Sequence, residues 1–169
     1  MRSWVRILGI DPGFRTTGYA IIESNGQESR HIASGAIKAV KADTPAGRLK
    51  IIFDEVASLA AIHEPQELSI ERVFVHRNPD SALKLGQARA AAICACQTFD
   101  IPVFEYAARE VKQAIAGKGS AGKDQVEHMV KILLCYSEKL QSDEADALGI
   151  ALCHAHTRTV SQQYSEAMP

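Results

Sequence analysis

The start of the chain contains three short apolar runs separated only by turn residues, and this arrangement restricts the fold more than any other feature of the sequence. The runs cover 5–10, 18–22 and 31–37, and the first of them ends at Asp11-Pro12-Gly13. Since no helix fits between the runs, each strand must pair with the next one in antiparallel fashion. The sequence therefore predicts that the fold begins with an antiparallel meander.

Helices and strands alternate along the rest of the chain. Thr44-Pro45 is typical of a helix start, and Asn78-Pro79 is a second start of the same kind. Apolar spacing predicts helices over 45–64, 79–98, 109–116, 125–135 and 143–156, and strands over 68–73 and 102–106. Such alternation adds parallel strands to a sheet. We therefore expect an α/β fold: a mixed five-stranded sheet with helices on both faces, and with the first and fourth strands side by side at its centre.

The composition restricts the class of protein. An apolar fraction of 46% with a net charge of −1 is typical of a folded chain, and 169 residues suffice for one domain. We assign the domain to 1–157 and expect the polar segment 158–169 to be a flexible tail. The longest apolar run has seven residues, whereas a membrane span needs about 18. Charged residues near the N-terminus and the lack of a CxxC pair predict a cytoplasmic protein with four free, buried cysteines.

Four carboxylates occupy positions that the expected fold would bring together. Asp11 ends the first strand, and Glu71 lies within the apolar fourth strand. Asp143 and Asp146 are three residues apart in the first turn of the last helix, so both face the same way, while Glu144 points about 100° away. If the last helix packs across the first and fourth strands, the four acids converge and repel one another.

Such a cluster predicts a site for divalent cations. Two Mg²⁺ ions would balance four negative charges, with Mn²⁺ as a plausible substitute. A pair of ions about 4 Å apart can activate water and stabilise the leaving oxygen in phosphodiester cleavage. Structural roles are the alternative, because Asp11 suits a turn and because Asp143 and Asp146 suit a helix N-terminus. Glu71 is harder to explain in that way, since a carboxylate inside an apolar strand needs a partner.

The charge distribution favours a nucleic-acid partner. Residues 72–131 carry a net charge of +3 and 132–169 carry −3. Within the basic part, the glycine-rich segment 117–123 nearly matches a nucleotide-binding P-loop. Asp124 stands where that loop needs Ser or Thr, and a helix rather than a strand precedes the segment. We interpret the segment as a loop that presents Lys118 and Lys123 to DNA phosphate.

Several motifs resemble the RuvC family of Holliday-junction resolvases, in order and without large gaps from about residue 6 to 156. They are Ile7-Leu8-Gly9-Ile10-Asp11-Pro12-Gly13, Ile70-Glu71-Arg72-Val73-Phe74, the stretch 78–89, the stretch 103–109, and Asp143-Glu144-Ala145-Asp146. The resemblance implies a ribonuclease H-like fold and a homodimer that resolves four-way DNA junctions by symmetric paired nicks. It also implies metal dependence, a role in recombination and repair, and cooperation with a branch-migration motor.

The resemblance also assigns roles to individual residues. It implies that Asp11, Glu71, Asp143 and Asp146 bind the metal, that Lys112 and Lys123 hold phosphate near the active site, and that Phe74 lies at the opened junction centre. An aromatic there could stack on an unpaired base, although core packing is the alternative. From their charge alone, further candidates for DNA contacts are His76, Arg77, Lys84, Arg89 and Lys118.

Other interpretations remain open at this point. A sugar-kinase or actin-like ATPase would need two such domains, and a binding module without catalysis would be expected to lack one of the acids. A YqgF-type nuclease, with the same fold but a role in RNA processing, is a closer alternative. The helix over 79–98 is rich in small residues, which favours either close packing within the chain or a two-fold dimer contact.

Overall fold

A five-stranded mixed sheet forms the centre of the computed structural model, which describes residues 3–73 and 78–167 and side chains as far as Arg158. The strands are β1 (Val5–Asp11), β2 (Thr16–Ser24), β3 (Ser29–Lys38), β4 (Glu67–Glu71) and β5 (Val103–Tyr106), in the order β3-β2-β1-β4-β5. β1, β2 and β3 pair antiparallel, and β4 and β5 add in parallel on the other side of β1. The predicted meander and the central β1–β4 pair are thus confirmed.

Parallel pairing places the carboxyl ends of β1 and β4 at the same edge of the sheet. The register pairs Ile10 with Ile70, so that Asp11 and Glu71 follow side by side. The prediction that the fourth strand runs to residue 73 was wrong, because the pairing of β4 with β5 ends where Glu71 meets Tyr106. Glu71 is therefore the last residue of β4, at the rim of the sheet, and not in the interior of the strand.

Helices cover both faces of the sheet, as predicted. They are α1 (Pro45–His63), α2 (Pro79–Gln97), α3 (Ala108–Ala116), α4 (Lys123–Leu133) and α5 (Ser142–Ala167). α1 and α2 share one apolar core with the sheet, and α3, α4 and α5 share the other. The predicted start residues Thr44 and Asn78 are both N-caps, whose side chains accept backbone N–H groups of α1 and α2.

α5 is longer than the sequence pattern predicts. The expected end of the last helix at residue 156 was wrong, because α5 continues to Ala167. No glycine or proline interrupts the chain between Gly149 and Pro169, so nothing in the sequence stops the helix. Arg158, at the start of the supposed tail, is held by β4, since its Nε lies 2.9 Å from Glu67 Oε1.

The predictions for the cysteines are confirmed in part. All four cysteines are free, and Cys96 and Cys153 are buried as expected. Cys94 and Cys135 are exposed, contrary to prediction, because Cys94 lies on the side of α2 away from Cys96 and Cys135 follows the end of α4. Among the residues described, no helix has the length and apolar character needed to cross a membrane.

Candidate active site

The four carboxylates singled out by the sequence meet at one edge of the sheet. Asp11 and Glu71 end β1 and β4, and Asp143 and Asp146 lie in the first turns of α5. The pKa of Asp11 is raised from 3.8 to about 7, first by burial and then by the charges of Asp146, Glu71 and Asp143, in that order. Since each of the other acids acts on Asp11, the predicted convergence is confirmed.

Glu71 experiences the same repulsion from the other side of the site. Burial raises its pKa above the usual range, and the charge of Asp146 adds to the increase. Lys112 and Lys123 act in the opposite sense and lower it. The acids are therefore short of positive charge, and the two lysines supply part of it.

Two glycines on the sheet, Gly9 and Gly18, let α5 come close enough to complete this cluster. A Cβ atom at Gly9 would lie 2.4 Å from the carbonyl oxygen of Ala147, and one at Gly18 would lie 2.0 Å from the carbonyl oxygen of Asp143. Real Cβ atoms do not approach backbone so closely, so any larger residue would push the helix outward. The two glycines thus set the distance between α5 and Asp11.

A second contact, not foreseen from the sequence, fixes the start of α5 against β3. Glu144 accepts a hydrogen bond from Ser34 Oγ at 2.6 Å and another from the backbone N–H of Gln141 at 3.1 Å. Because the single hydroxyl hydrogen of Ser34 goes to Glu144, His31 Nε2, at 2.6 Å from Ser34 Oγ, acts as the donor in that pair. Glu144 points away from the other acids, as expected, and anchors the helix that carries them.

Two small clefts adjoin the acids, and Glu71 lines both. One cleft, of about 240 Å³, is also lined by Lys112, Lys123 and Asp146, while the other, of about 260 Å³, is also lined by Asp11. Lys123 Nζ lies 2.8 Å from Asp146 Oδ2, and this contact raises the pKa of the lysine. Both predicted lysines therefore lie beside the carboxylates.

The donor set suits a hard divalent cation completed by other ligands. Within the described residues, no group of three or more His, Cys, Asp or Glu side chains is arranged to hold an ion by itself. Mg²⁺ commonly binds through one or two carboxylates, with water and substrate phosphate filling the other positions. Carboxylates whose mutual repulsion raises the pKa of Asp11 fit that kind of open site, since a cation would relieve the repulsion.

The other predicted DNA contacts occupy different environments. Lys84 is exposed on α2 and pairs with Asp80 at 2.6 Å, and Lys118 is exposed in the loop between α3 and α4. Arg89 is turned inward and is mostly buried. Phe74, His76 and Arg77 lie outside the described residues.

The structure also excludes a P-loop. That motif needs a strand immediately before the glycine-rich loop. Here the loop joins α3 to α4, and Lys123 is the first residue of α4. The near match of segment 117–123 to a P-loop is therefore accidental.

Comparison with known proteins gives a consistent family assignment. Residues 7–154 match the sequence profile of the family described as crossover junction endodeoxyribonuclease RuvC. The chain is 51% identical over 151 residues to the RuvC of Alkalilimnicola ehrlichii, covering 89% of this chain and 91% of the relative. It is 52% identical over 151 residues to a RuvC of Vibrio vulnificus, covering 89% and 87%.

Solved structures agree with the sequence relatives. The Thermus thermophilus RuvC in complex with a Holliday junction substrate superposes with a TM-score of 0.87 at 30% identity, covering 93% of this chain and 96% of that one. The yeast mitochondrial Holliday junction resolvase Ydc2 superposes with a TM-score of 0.72 at 12% identity, covering 96% and 84%, which speaks for the fold alone.

Proposed function

The chain belongs to the RuvC family and is a crossover junction endodeoxyribonuclease that resolves Holliday junctions, and we propose that it cuts with two divalent cations held by Asp11, Glu71, Asp143 and Asp146. The observation that carries this proposal is the convergence of the other three acids on Asp11, whose pKa they raise. Two doubly charged cations balance four carboxylates. We infer Mg²⁺ as the usual ion and Mn²⁺ as a substitute, since both prefer oxygen ligands.

The acids and the two lysines of the site have different roles in phosphodiester hydrolysis. The four acids would hold the cations, which when bound would provide activation of a water molecule and stabilisation of the leaving oxygen. Lys112 and Lys123 line the cleft beside Glu71 and Asp146. Their positive charges stabilise the negative charge that develops on the phosphate. Lys123 also orients Asp146 through their 2.8 Å contact. The product strand carries a 3′-hydroxyl at the nick, so that a ligase can close it.

A cleavage assay on defined substrates tests this function. A synthetic four-way junction, the matching linear duplex and an RNA–DNA hybrid are each incubated with the protein in Mg²⁺ or in EDTA. We expect paired symmetric nicks in the junction alone, and none in EDTA. Cutting of the hybrid instead would contradict the proposal in favour of RNA processing, and tight junction binding without cutting in either Mg²⁺ or Mn²⁺ would contradict catalysis.

We further propose that the enzyme is a homodimer built on α2. Some small residues of this helix pack inside the chain, since Ala88, Ala92 and Ala95 are fully buried. A separate, exposed face of α2 is formed by residues at helical spacing, namely Leu83, Gln87, Ala90 and Cys94, with the half-buried Gly86 among them. A Cβ atom at Gly86 would meet nothing within 4 Å, so a second helix could approach there. A two-fold dimer matches the approximate two-fold symmetry of a junction.

Leu83→Glu tests the dimer. The Leu83 side chain is 68% exposed, so the charge should leave the folded monomer intact. In a two-fold interface the charge would be buried twice without a partner. We therefore expect the dissociation constant of the dimer to rise about a hundredfold. Analytical ultracentrifugation over a concentration series measures this, with Ile62→Glu, at a 70% exposed position on α1, as the control. An unchanged dimer would place the interface elsewhere.

The remaining parts of the proposal concern DNA contacts, the protein partner and the location in the cell. They are supported by membership of the family and by the exposure of the basic side chains. Lys84 and Lys118 are exposed and suit phosphate contacts, which would make junction binding salt-dependent. Stacking by Phe74 and contacts by His76 and Arg77 stay predictions. We also expect cooperation with a branch-migration motor and a cytoplasmic location.

A further inference from the structure

Arg89 has a different environment from the other basic residues near the site. Its side chain is 19% exposed, compared with 48% for Lys84 on the same helix. Its Nε donates to the backbone carbonyl oxygen of Glu71 at 3.1 Å. Its Nη2 pairs with the carboxylate of Glu105 on β5. Both ends of the guanidinium are thus engaged by the rim of the sheet.

The carbonyl that Arg89 binds lacks the partner that a parallel strand would normally supply. Arg72 N donates to Tyr106 on β5, so the N–H and C=O of the preceding residue, Glu71, point toward β1. In the register that pairs Ile10 with Ile70, the donor beside that carbonyl would come from Pro12, one residue past Asp11. Proline has no N–H. The hydrogen bond from Arg89 replaces the one that β1 cannot make.

The same contacts make Arg89 a poor ligand for DNA phosphate. Glu105 neutralises its charge, and the guanidinium fork is already committed to two acceptors on two strands. The remaining N–H donors of the guanidinium keep the orientation that these two bonds impose, on a side chain that is only 19% exposed. The geometry therefore argues against the interpretation of Arg89 as a DNA contact that its charge alone suggested.

We propose that Arg89 is a positioning residue, which holds the end of β4 so that the Glu71 carboxylate stays in place beside Asp11. The proposal rests on the proposed function, because it matters only if Glu71 takes part in cutting. It makes α2 part of the support of the active site, although α2 packs on the face of the sheet opposite α5.

Arg89→Met tests the proposal, since it keeps much of the apolar stem and removes the fork. Single-turnover cutting of a synthetic junction is measured over a Mg²⁺ titration, and junction binding is measured in EDTA at several salt concentrations. We expect the cutting rate to fall about tenfold to a hundredfold, since a displacement of about 1 Å can cost about a hundredfold. We also expect a higher half-saturating Mg²⁺ concentration and unchanged junction binding.

Two further variants make the result specific. Arg89→Lys keeps the charge but can reach only one of the two acceptors, so it should cut at a rate between wild type and Arg89→Met. Arg30→Met is the matched control, because Arg30 forms an exposed ion pair with Glu28 at the far end of the sheet. It should cut at the wild-type rate. Thermal unfolding of each variant identifies any that fail to fold, in which case Arg89→Lys alone decides.

The outcomes separate this proposal from its rivals. Weaker junction binding with a salt slope shallower by about one would mean that Arg89 contacts phosphate, and would overturn the proposal. Wild-type cutting by Arg89→Met would also overturn it. Failure of the wild-type enzyme to cut the junction would instead refute the proposed function itself.

Discussion

Asp11→Asn is expected to abolish junction cutting while making the metal-free protein more stable. Loss of a carboxylate at the centre of the cluster should reduce the cutting rate roughly a thousandfold. Junction binding should persist, because contacts with the DNA backbone do not depend on this residue. Single-turnover cleavage and a binding titration on the same synthetic junction measure the two effects.

The gain in stability follows from the pKa of Asp11. The folded protein holds this proton up to about pH 7, whereas the unfolded chain releases it near 3.8. Between these values the folded state binds more protons at Asp11, so the contribution of Asp11 to the free energy of unfolding falls as pH rises from about 4 to 7. Asparagine has no charge to bury or repel. At pH 8 the free energy of unfolding of Asp11→Asn should therefore exceed that of the wild type by about 2 to 4 kcal/mol.

Urea unfolding in EDTA at pH 5 and pH 8 measures this advantage. The difference between Asp11→Asn and wild type should grow with pH over that interval. Asp54→Asn is the control, because Asp54 is an exposed acid on α1 paired with Lys50 and should give no such gain. An equal difference at both pH values would contradict the repulsion argument, and loss of junction binding together with cutting would contradict the separation of roles.

The sequence predicted the meander, the central pair of first and fourth strands and the cluster of acids because all three depend on local pattern. Apolar runs without room for a helix require a meander, and acids at strand ends are brought together once β1 and β4 are neighbours. Asp143 and Asp146 were identifiable as a pair because their spacing places them on one side of any helix.

Features that depend on distant partners could not be predicted in this way. Glu144 and Ser34 are 110 residues apart, and no periodicity connects them. Arg89 resembled a surface cation because the missing donor at Pro12, which explains its inward orientation, becomes evident only from the register of β1 and β4. The exact end of β4 likewise depends on where β5 stops pairing.

Gly18→Ala is expected to damage both the fold and the activity, because it acts on the spacing of the cluster. The new methyl group would lie 2.0 Å from the carbonyl oxygen of Asp143 and 2.6 Å from its carbonyl carbon. These are backbone atoms, so no side-chain rotation relieves the clash, and the start of α5 must move away from the sheet. We expect a loss of about 1 to 3 kcal/mol in the free energy of unfolding.

The shift of α5 should affect cutting more than stability. Asp143 and Asp146 would move away from Asp11 and Glu71 together, and a displacement of about 1 Å can reduce the rate about a hundredfold. Gly149→Ala is the matched control on α5, since its Cβ would meet no atom closer than 3.5 Å and alanine favours a helix by up to about 1 kcal/mol. Urea unfolding and single-turnover cleavage of both variants measure the effects. If Gly18→Ala cut at the wild-type rate, close approach of α5 to β2 would not be required for the chemistry, and the acids of α5 would have to be placed in another way.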